Sequence, residues 1–265
     1  MKNRPSFRSF FPSGYSQVFI ALLLVGCRGP RETITELDQL SEATFAVPTG
    51  TVADQLVLSR FPDSTFQYFN SVLDACMAVH AGRADAAAYD EPILRNIAAK
   101  IPGLKVLDGM ITVDEYGFAV RLEDVELKEA MDAVIGEINE NGVYEEMHAR
   151  WLPAQGAPAP MPVFTPVDST EVLRFGTAAV TEPFSFVDGS REVVGLDIEL
   201  AHLIAQRLGK RLVVVNMDFG GMIPALASGR VDMIGACITI TEERAQRVLF
   251  SVPYYQGGIA ALVRE

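Results

Sequence analysis

Cysteine is scarce: the chain has three in 265 residues, at positions 27, 76 and 237. Nothing in their spacing demands a disulfide. Histidine is equally thin, with His80, His148 and His202 scattered on what read as helix surfaces, so no Cys/His spacing suggests a metal. Positive charge is short as well. Against 34 Asp and Glu stand 22 Lys and Arg, a net charge of −12, which argues against nucleic acid as a partner and is read as solubility. Low-complexity bulk is missing, and the apolar run Val18 to Val25 is too short to span a bilayer. What remains is 49% hydrophobic, enough to bury a core in one large domain or two small ones.

The first 27 residues read as a targeting segment. Lys2, Arg4 and Arg8 form a basic start, the apolar run follows, and Leu24-Val25-Gly26-Cys27 closes it. That ending resembles the lipobox of bacterial lipoproteins, in which the cysteine becomes the lipidated first residue. A multiply acylated Cys27 would hold the protein on a membrane. Cys76, in the amphipathic pattern Val72 to Val79, reads as a buried free thiol.

Residues 33–121 alternate strand and helix signals. Thr44 to Val47 reads as a strand, and Pro48 to Thr51 as a turn, with a helix starting at Val52. Asn70 to Ala81 reads as a helix stopped by Gly82, and Ala84 to Tyr89 as a strand. Asp90-Glu91-Pro92 opens the next helix, and Tyr116 to Arg121 is one further strand. This alternation predicts a mainly parallel sheet covered by helices. Residues 122–151 are helical, with Leu127, Met131, Val134 and Ile138 at core spacing and a break at Asn141-Gly142. Residues 152–170 carry five prolines, at 153, 158, 160, 162 and 166, and predict an extended, semi-rigid linker.

Residues 171–265 repeat the alternation: strands over Leu173 to Thr177 and Leu212 to Met217, with a helix over Leu196 to Leu208 between them. Val231 to Ala236 then reads as a short buried strand. It runs through a threonine-rich turn to Thr241, the expected N-cap of a helix with Glu242, Glu243 and Arg244 in its first turn. A helix tip, hydroxyls and a guanidinium together suit one small anion.

The run from Asp218-Phe219 through Met222-Ile-Pro-Ala-Leu, Ser228-Gly-Arg-Val-Asp232, Thr239-Ile-Thr-Glu-Glu-Arg244 and Phe250-Ser-Val-Pro-Tyr-Tyr255 resembles the bacterial extracellular solute-binding proteins of family 3. These are periplasmic amino-acid-binding proteins of ABC importers. The first block resembles the family's second lobe in Val47-Pro-Thr-Gly-Thr51, Tyr89-Asp-Glu-Pro92 and Tyr116-Gly-Phe-Ala-Val120. The second resembles the first lobe in Pro183-Phe-Ser-Phe-Val-Asp188 and Gly195-Leu-Asp-Ile-Glu-Leu-Ala201.

The resemblance implies an α/β fold of two lobes, each a mainly parallel sheet flanked by helices, with a hinge and a ligand cleft between them. It implies no enzymatic activity, no cofactor, a monomer, and an ABC permease as partner. The order of the blocks is reversed: second lobe at 33–121, returning helices at 122–151, linker at 152–170, first lobe at 171–265. This reads as a circular permutation whose linker joins the family's usual ends, with a fragment of a tandem array and lobes swapped between chains as the rivals. Permutation requires residues 33–40 to lie near Glu265. By the same resemblance Arg244 pairs with the carboxylate of a free amino acid, with Thr239 donating to it and Thr51 closing on it from the other side. The backbone at Cys237 and the carboxylate of Asp90 take the ammonium, and Phe219 packs on the ligand's side chain.

Departures from the family pattern bear on the ligand. Thr181 stands where an aromatic residue often stacks, Ala178 where a polar residue is common, and Pro48 where a basic one occurs. This lining argues against basic ligands and leaves glutamine-like, small and apolar amino acids open. Two other function classes stay open: an enzyme resembling the cyclohexadienyl dehydratases, for which Glu182 and Glu91 are the only candidate acids, and a non-transport sensor.

Overall fold

The computed structural model describes residues 33–153 and 158–265; the basic leader and Cys27 lie outside the described residues. In the first block, β1 (Thr44–Pro48), α1 (Ala53–Arg60), β2 (Thr65–Phe69), α2 (Val72–His80), β3 (Ala86–Asp90), α3 (Glu91–Lys100) and β4 (Leu104–Val106) alternate. Next come β5 (Asp114–Tyr116), β6 (Ala119–Val120), α4 (Val125–Glu140) and α5 (Val143–Trp151). The second block holds β7 (Val172–Thr177), β8 (Val180–Thr181), β9 (Ser185–Val187), β10 (Val193–Val194), α6 (Leu196–Arg207) and β11 (Arg211–Asn216). It closes with α7 (Met222–Ala227), β12 (Met233–Ile234), α8 (Glu242–Ala245), β13 (Leu249–Phe250), β14 (Tyr255–Gly257) and β15 (Ile259–Arg264).

Local chemistry sets most of these boundaries. Ser71 caps α2 by accepting from Asp74 N at 3.1 Å, so the helix starts two residues later than the periodicity predicts. Gly82, at φ +74°, ends it. Residues 116–121 are not one strand. The chain breaks at Gly117 because its two halves serve different sheets.

One sheet has the order β2-β1-β3-β15-β4 and the other β11-β7-β12-β6-β13. In each, a single strand opposes the rest: β15 is antiparallel to β3 and β4, and β6 to β12 and β13. Each opposing strand is supplied by the other block. The chain therefore crosses between the sheets twice, at β5 and β14, and these two strands pair antiparallel with Tyr255 opposite Tyr116. The tyrosine rings stack at 5.6 Å. A two-stranded ribbon joining two sheets is a hinge. Gly258, just beyond it, has no room for a side chain: a Cβ there would lie 1.9 Å from the Thr112 carbonyl oxygen.

The first described residues lie against the last strand. Leu37 and Leu40 share an apolar cluster with Ala261 and Val263 of β15, and Glu265 N donates to Gly103 O at 3.1 Å. The helical segment α4–α5 packs against α6. There the buried Glu199 accepts from Trp151 Nε1 at 2.6 Å and from Arg150 Nη1 at 2.5 Å. Both partners are needed, because a lone buried carboxylate is costly. Trp151 is thus a core residue that also carries a polar contact. The described part of the proline stretch has no secondary structure. It is laid along α6, with the Phe164 ring stacked on His202 at 4.4 Å.

Candidate functional site

The site is built where β12 ends and β3 ends, on opposite sides of the hinge. The buried strand after Val231 is shorter than expected, only Met233–Ile234, because the backbone turns sharply at Cys237. That residue has φ 45°, a left-handed conformation that costs a non-glycine residue about 1–3 kcal/mol. Its N–H donates to Asp197 Oδ2 at 3.0 Å. Asp197, in the first turn of α6, is fully buried. Burial raises its carboxyl pKa to about 7, against the lowering effect of hydrogen bonding.

Two residues beyond Cys237, Thr239 bridges to Tyr116 of the hinge. Thr241 caps α8, its hydroxyl accepting from Arg244 N at 3.2 Å. α8 is a single turn, and its role is to aim Arg244 inward. The guanidinium is 9% exposed, donates from Nη1 to Thr239 O at 3.0 Å, and lies 5.5 Å over the Phe219 ring. Burial draws its pKa down, while Tyr89, Asp90 and Cys237 oppose the shift; a guanidinium stays charged under such a shift.

Asp90 closes β3 from the other lobe and is 4% exposed. It occupies the N-cap position of α3 but makes no capping hydrogen bond. Its side chain points into the cleft instead. Oδ1 accepts a short hydrogen bond from the Tyr116 hydroxyl, and Oδ2 lies 3.8 Å from the Cys237 thiol. Burial raises the carboxyl pKa to about 6; Asp114 adds to the rise, while Tyr116 and Arg244 oppose it.

Asp90, Arg244, Thr239, Cys237, Phe219 and Thr51 therefore line one gap, together with Tyr89. The gap is about 10 Å³, room for one water at most. Two hollows adjoin it. One of about 230 Å³ lies beside Arg244, with Glu243 and Arg247 in its wall. The other, about 910 Å³, shares Thr51, Tyr89 and Phe219 with the gap. Thr181 lies in the wall of that larger hollow, not in the gap, and its hydroxyl donates within its own hairpin, to Ala178 O and Ser185 O at 3.2 Å each. Arg244 does not present an open two-pronged fork, since one nitrogen is already engaged by Thr239.

The lobes touch around this gap. A Cβ on Gly50 would meet Gly220 Cα at 3.2 Å, and only the left-handed φ of +81° at Gly50 lets the two loops approach so closely. On the opposite rim Lys100 pairs with Glu182 at 2.6 Å. Glu91 pairs with Arg95. Neither glutamate lines the gap, so the two residues offered as dehydratase acids are engaged outside it. Sequence reasoning gave no role to Tyr116, Tyr89 or Asp197. The Gly-Leu-Asp-Ile-Glu motif carries Asp197, but no local pattern says that it will reach Cys237 forty residues away.

This geometry defines a two-lobed α/β protein with a hinged cleft holding a buried cation on one side and a buried carboxylate on the other. Residues 173–265, about a third of the chain, match the model of the bacterial extracellular solute-binding proteins, family 3. A probable histidine-binding protein from Campylobacter jejuni is 42% identical over 88 residues, 33% of this chain and 34% of its own. The arginine-binding extracellular protein ArtP of Bacillus subtilis is 41% identical over 83 residues, 31% of this chain and 32% of its own. The solved arginine-bound domain 1 of TmArgBP is 42% identical, covering 37% of this chain and 84% of that one, with a TM-score of 0.33. The chain spans about a third of the length of the curated relatives it matches.

Proposed function

We propose that this protein captures one free amino acid between its lobes and delivers it to an ABC-type importer. The observation that carries the reading is the pair Arg244 and Asp90, two buried opposite charges from different lobes lining one gap. A zwitterion has the matching ends. Its carboxylate meets the guanidinium and Thr239, with Thr51 closing from the second lobe; its ammonium meets Asp90 and the Cys237 backbone. The gap as it stands is too small for an amino acid, so capture requires the lobes to part about the β5–β14 ribbon and close again on the ligand. A ligand that touches both lobes favours the closed state by its differential affinity. The relatives' names, which are those of amino-acid-binding proteins, support the class.

The test is a thermal-shift screen over the amino acids. A ligand at a hundred times its Kd adds about 2.7 kcal/mol, and for a chain of this size that is a rise in Tm of roughly 5–10 °C. No shift with any amino acid would remove the reading.

The same proposal includes export and tethering. The leader and Cys27 support a lipid anchor on the cell envelope. Among the described residues no helix is long and apolar enough to cross a membrane. Metabolic palmitate should label the protein, and Cys27→Ala should lose the label and leave the membrane; an unlabelled wild-type protein contradicts the anchor. The reversed lobe order is proposed to be a circular permutation within one chain, supported by Leu37 and Leu40 packing in one cluster with β15.

A further inference from the structure

We infer that the captured amino acid has an uncharged side chain, in contrast to the arginine in the names of several of its relatives. The inference rests on the reading above and adds the ligand's chemical class.

With its two charged ends held by Arg244 and Asp90, a ligand has one roomy direction left. The hollow beside Arg244 lies on the carboxylate side and has Glu243, Arg244 and Arg247 in its wall. The hollow of about 910 Å³ is the larger of the two and shares Thr51, Tyr89 and Phe219 with the gap. The side chain enters this second hollow.

The wall there carries almost no charge. Pro48, Thr49, Ala178, Thr181 and Asn216 form much of it, and among the described residues Asp218 is the one charged side chain in it. Asp218 is exposed. A carboxylate in water is screened and gives a cation little attraction. The nearest buried carboxylate, Asp90, is committed to the ammonium. A ligand guanidinium or ammonium brought in by closure would lose its water without gaining a buried partner. A ligand carboxylate would fare no better, because no Lys or Arg lines this hollow. Desolvating an unpaired charge is the most costly event in such a site. Neutral polar groups face a milder test. Thr181 is satisfied inside its hairpin, and Asn216 accepts from Ala179 N at 3.0 Å through Oδ1, which leaves its amide N–H donors as wall groups for a hydroxyl or carboxamide.

Isothermal titration of the mature chain separates the possibilities, with alanine, serine, threonine, glutamine and leucine as neutral probes and arginine, lysine and glutamate as charged ones. At least one neutral probe should bind about a hundredfold more tightly than any charged one. A charged probe that binds as well as the best neutral one overturns the inference and leaves amino-acid capture standing. Binding by none of the probes instead removes the capture reading itself. A second arm installs the missing charge. Ala178→Asp, in the buried wall, should raise arginine affinity at least about tenfold and weaken the neutral ligand. Thr49→Asp, on the exposed rim of the same wall, serves if the first variant does not fold. Arginine affinity unchanged in a folded variant shows that the side chain does not enter this hollow.

Discussion

Arg244→Ala should abolish amino-acid binding while the protein still folds. Among the described residues the guanidinium is the only buried cation lining the gap, and a zwitterion's carboxylate cannot enter a closed cleft without one. Removing one partner of a buried, hydrogen-bonded ion pair costs about 3–5 kcal/mol, a loss of roughly 10²- to 10⁴-fold in affinity. The folded state loses less: one hydrogen bond to Thr239 O and the contact with the Phe219 ring, about 1–2 kcal/mol together. Titration with the amino acid found in the thermal screen checks this, alongside a melting curve. Arg244→Lys keeps the charge but not the planar fork, and should recover only part of the affinity. An unaltered Kd in a folded Arg244→Ala protein would exclude the assignment.

Binding should also collapse in acid, and the empty protein should respond to pH in the opposite sense. Asp90 holds its proton up to a pH of about 6 because burial penalises its anion; Asp114 pushes the same way, while Tyr116 and Arg244 resist. The Cys237 thiol also faces it and is itself kept protonated by burial. An ammonium needs the carboxylate, so affinity should be level above a pH of about 7 and fall about tenfold per unit below about 6. For stability the sign reverses. Both Asp90, at about 6, and Asp197, at about 7, have folded pKa values above the ordinary 3.8. Between those limits the folded chain binds more protons than the unfolded one. Their contribution is complete below a pH of about 4 and is lost as pH rises through 6 to 7, on the order of 3 kcal/mol for Asp90. The ligand-free protein should therefore melt at a higher temperature at pH 5.5 than at pH 7.5, while the ligand-induced shift grows in the other direction. Asp90→Asn should remove the pH dependence of binding together with at least about a hundredfold of affinity. Tyr116→Phe, which deletes the hydrogen bond holding the pKa down, should move the midpoint upward. An affinity that stays flat from pH 5 to pH 8 would show that Asp90 does not hold the ammonium.

In the proposed permutation the covalent path changes but the pieces do not. Each sheet still takes one strand from the other block, so neither block completes its sheet alone. β15 fills the slot between β3 and β4, and β6 the slot between β12 and β13. Leu37 and Leu40 pack in one apolar cluster with Ala261 and Val263 of β15, the proximity that the proposed permutation requires.

What the sequence by itself determined was local. The cap at Thr241, the stop at Gly82, the break at Asn141-Gly142 and the amphipathic stripe of α4 depend on neighbours within four residues, so their signals sit in the chain order. The motifs around Arg244 and Asp90 were legible for the same reason: each is a strand end running into a helix start. Tertiary structure decided what those residues face. Nothing in residues 116–121 says that one half of a run pairs with β14 and the other with β12, so the residues that form the hinge carried no local signal. Tyr116 over Asp90 and Asp197 under Cys237 pair across 26 and 40 residues. The size and the charge of the hollow beyond Tyr89 depend on how the two lobes close. Contacts of that kind are fixed by packing between distant segments, which has no period and leaves no mark on adjacent residues.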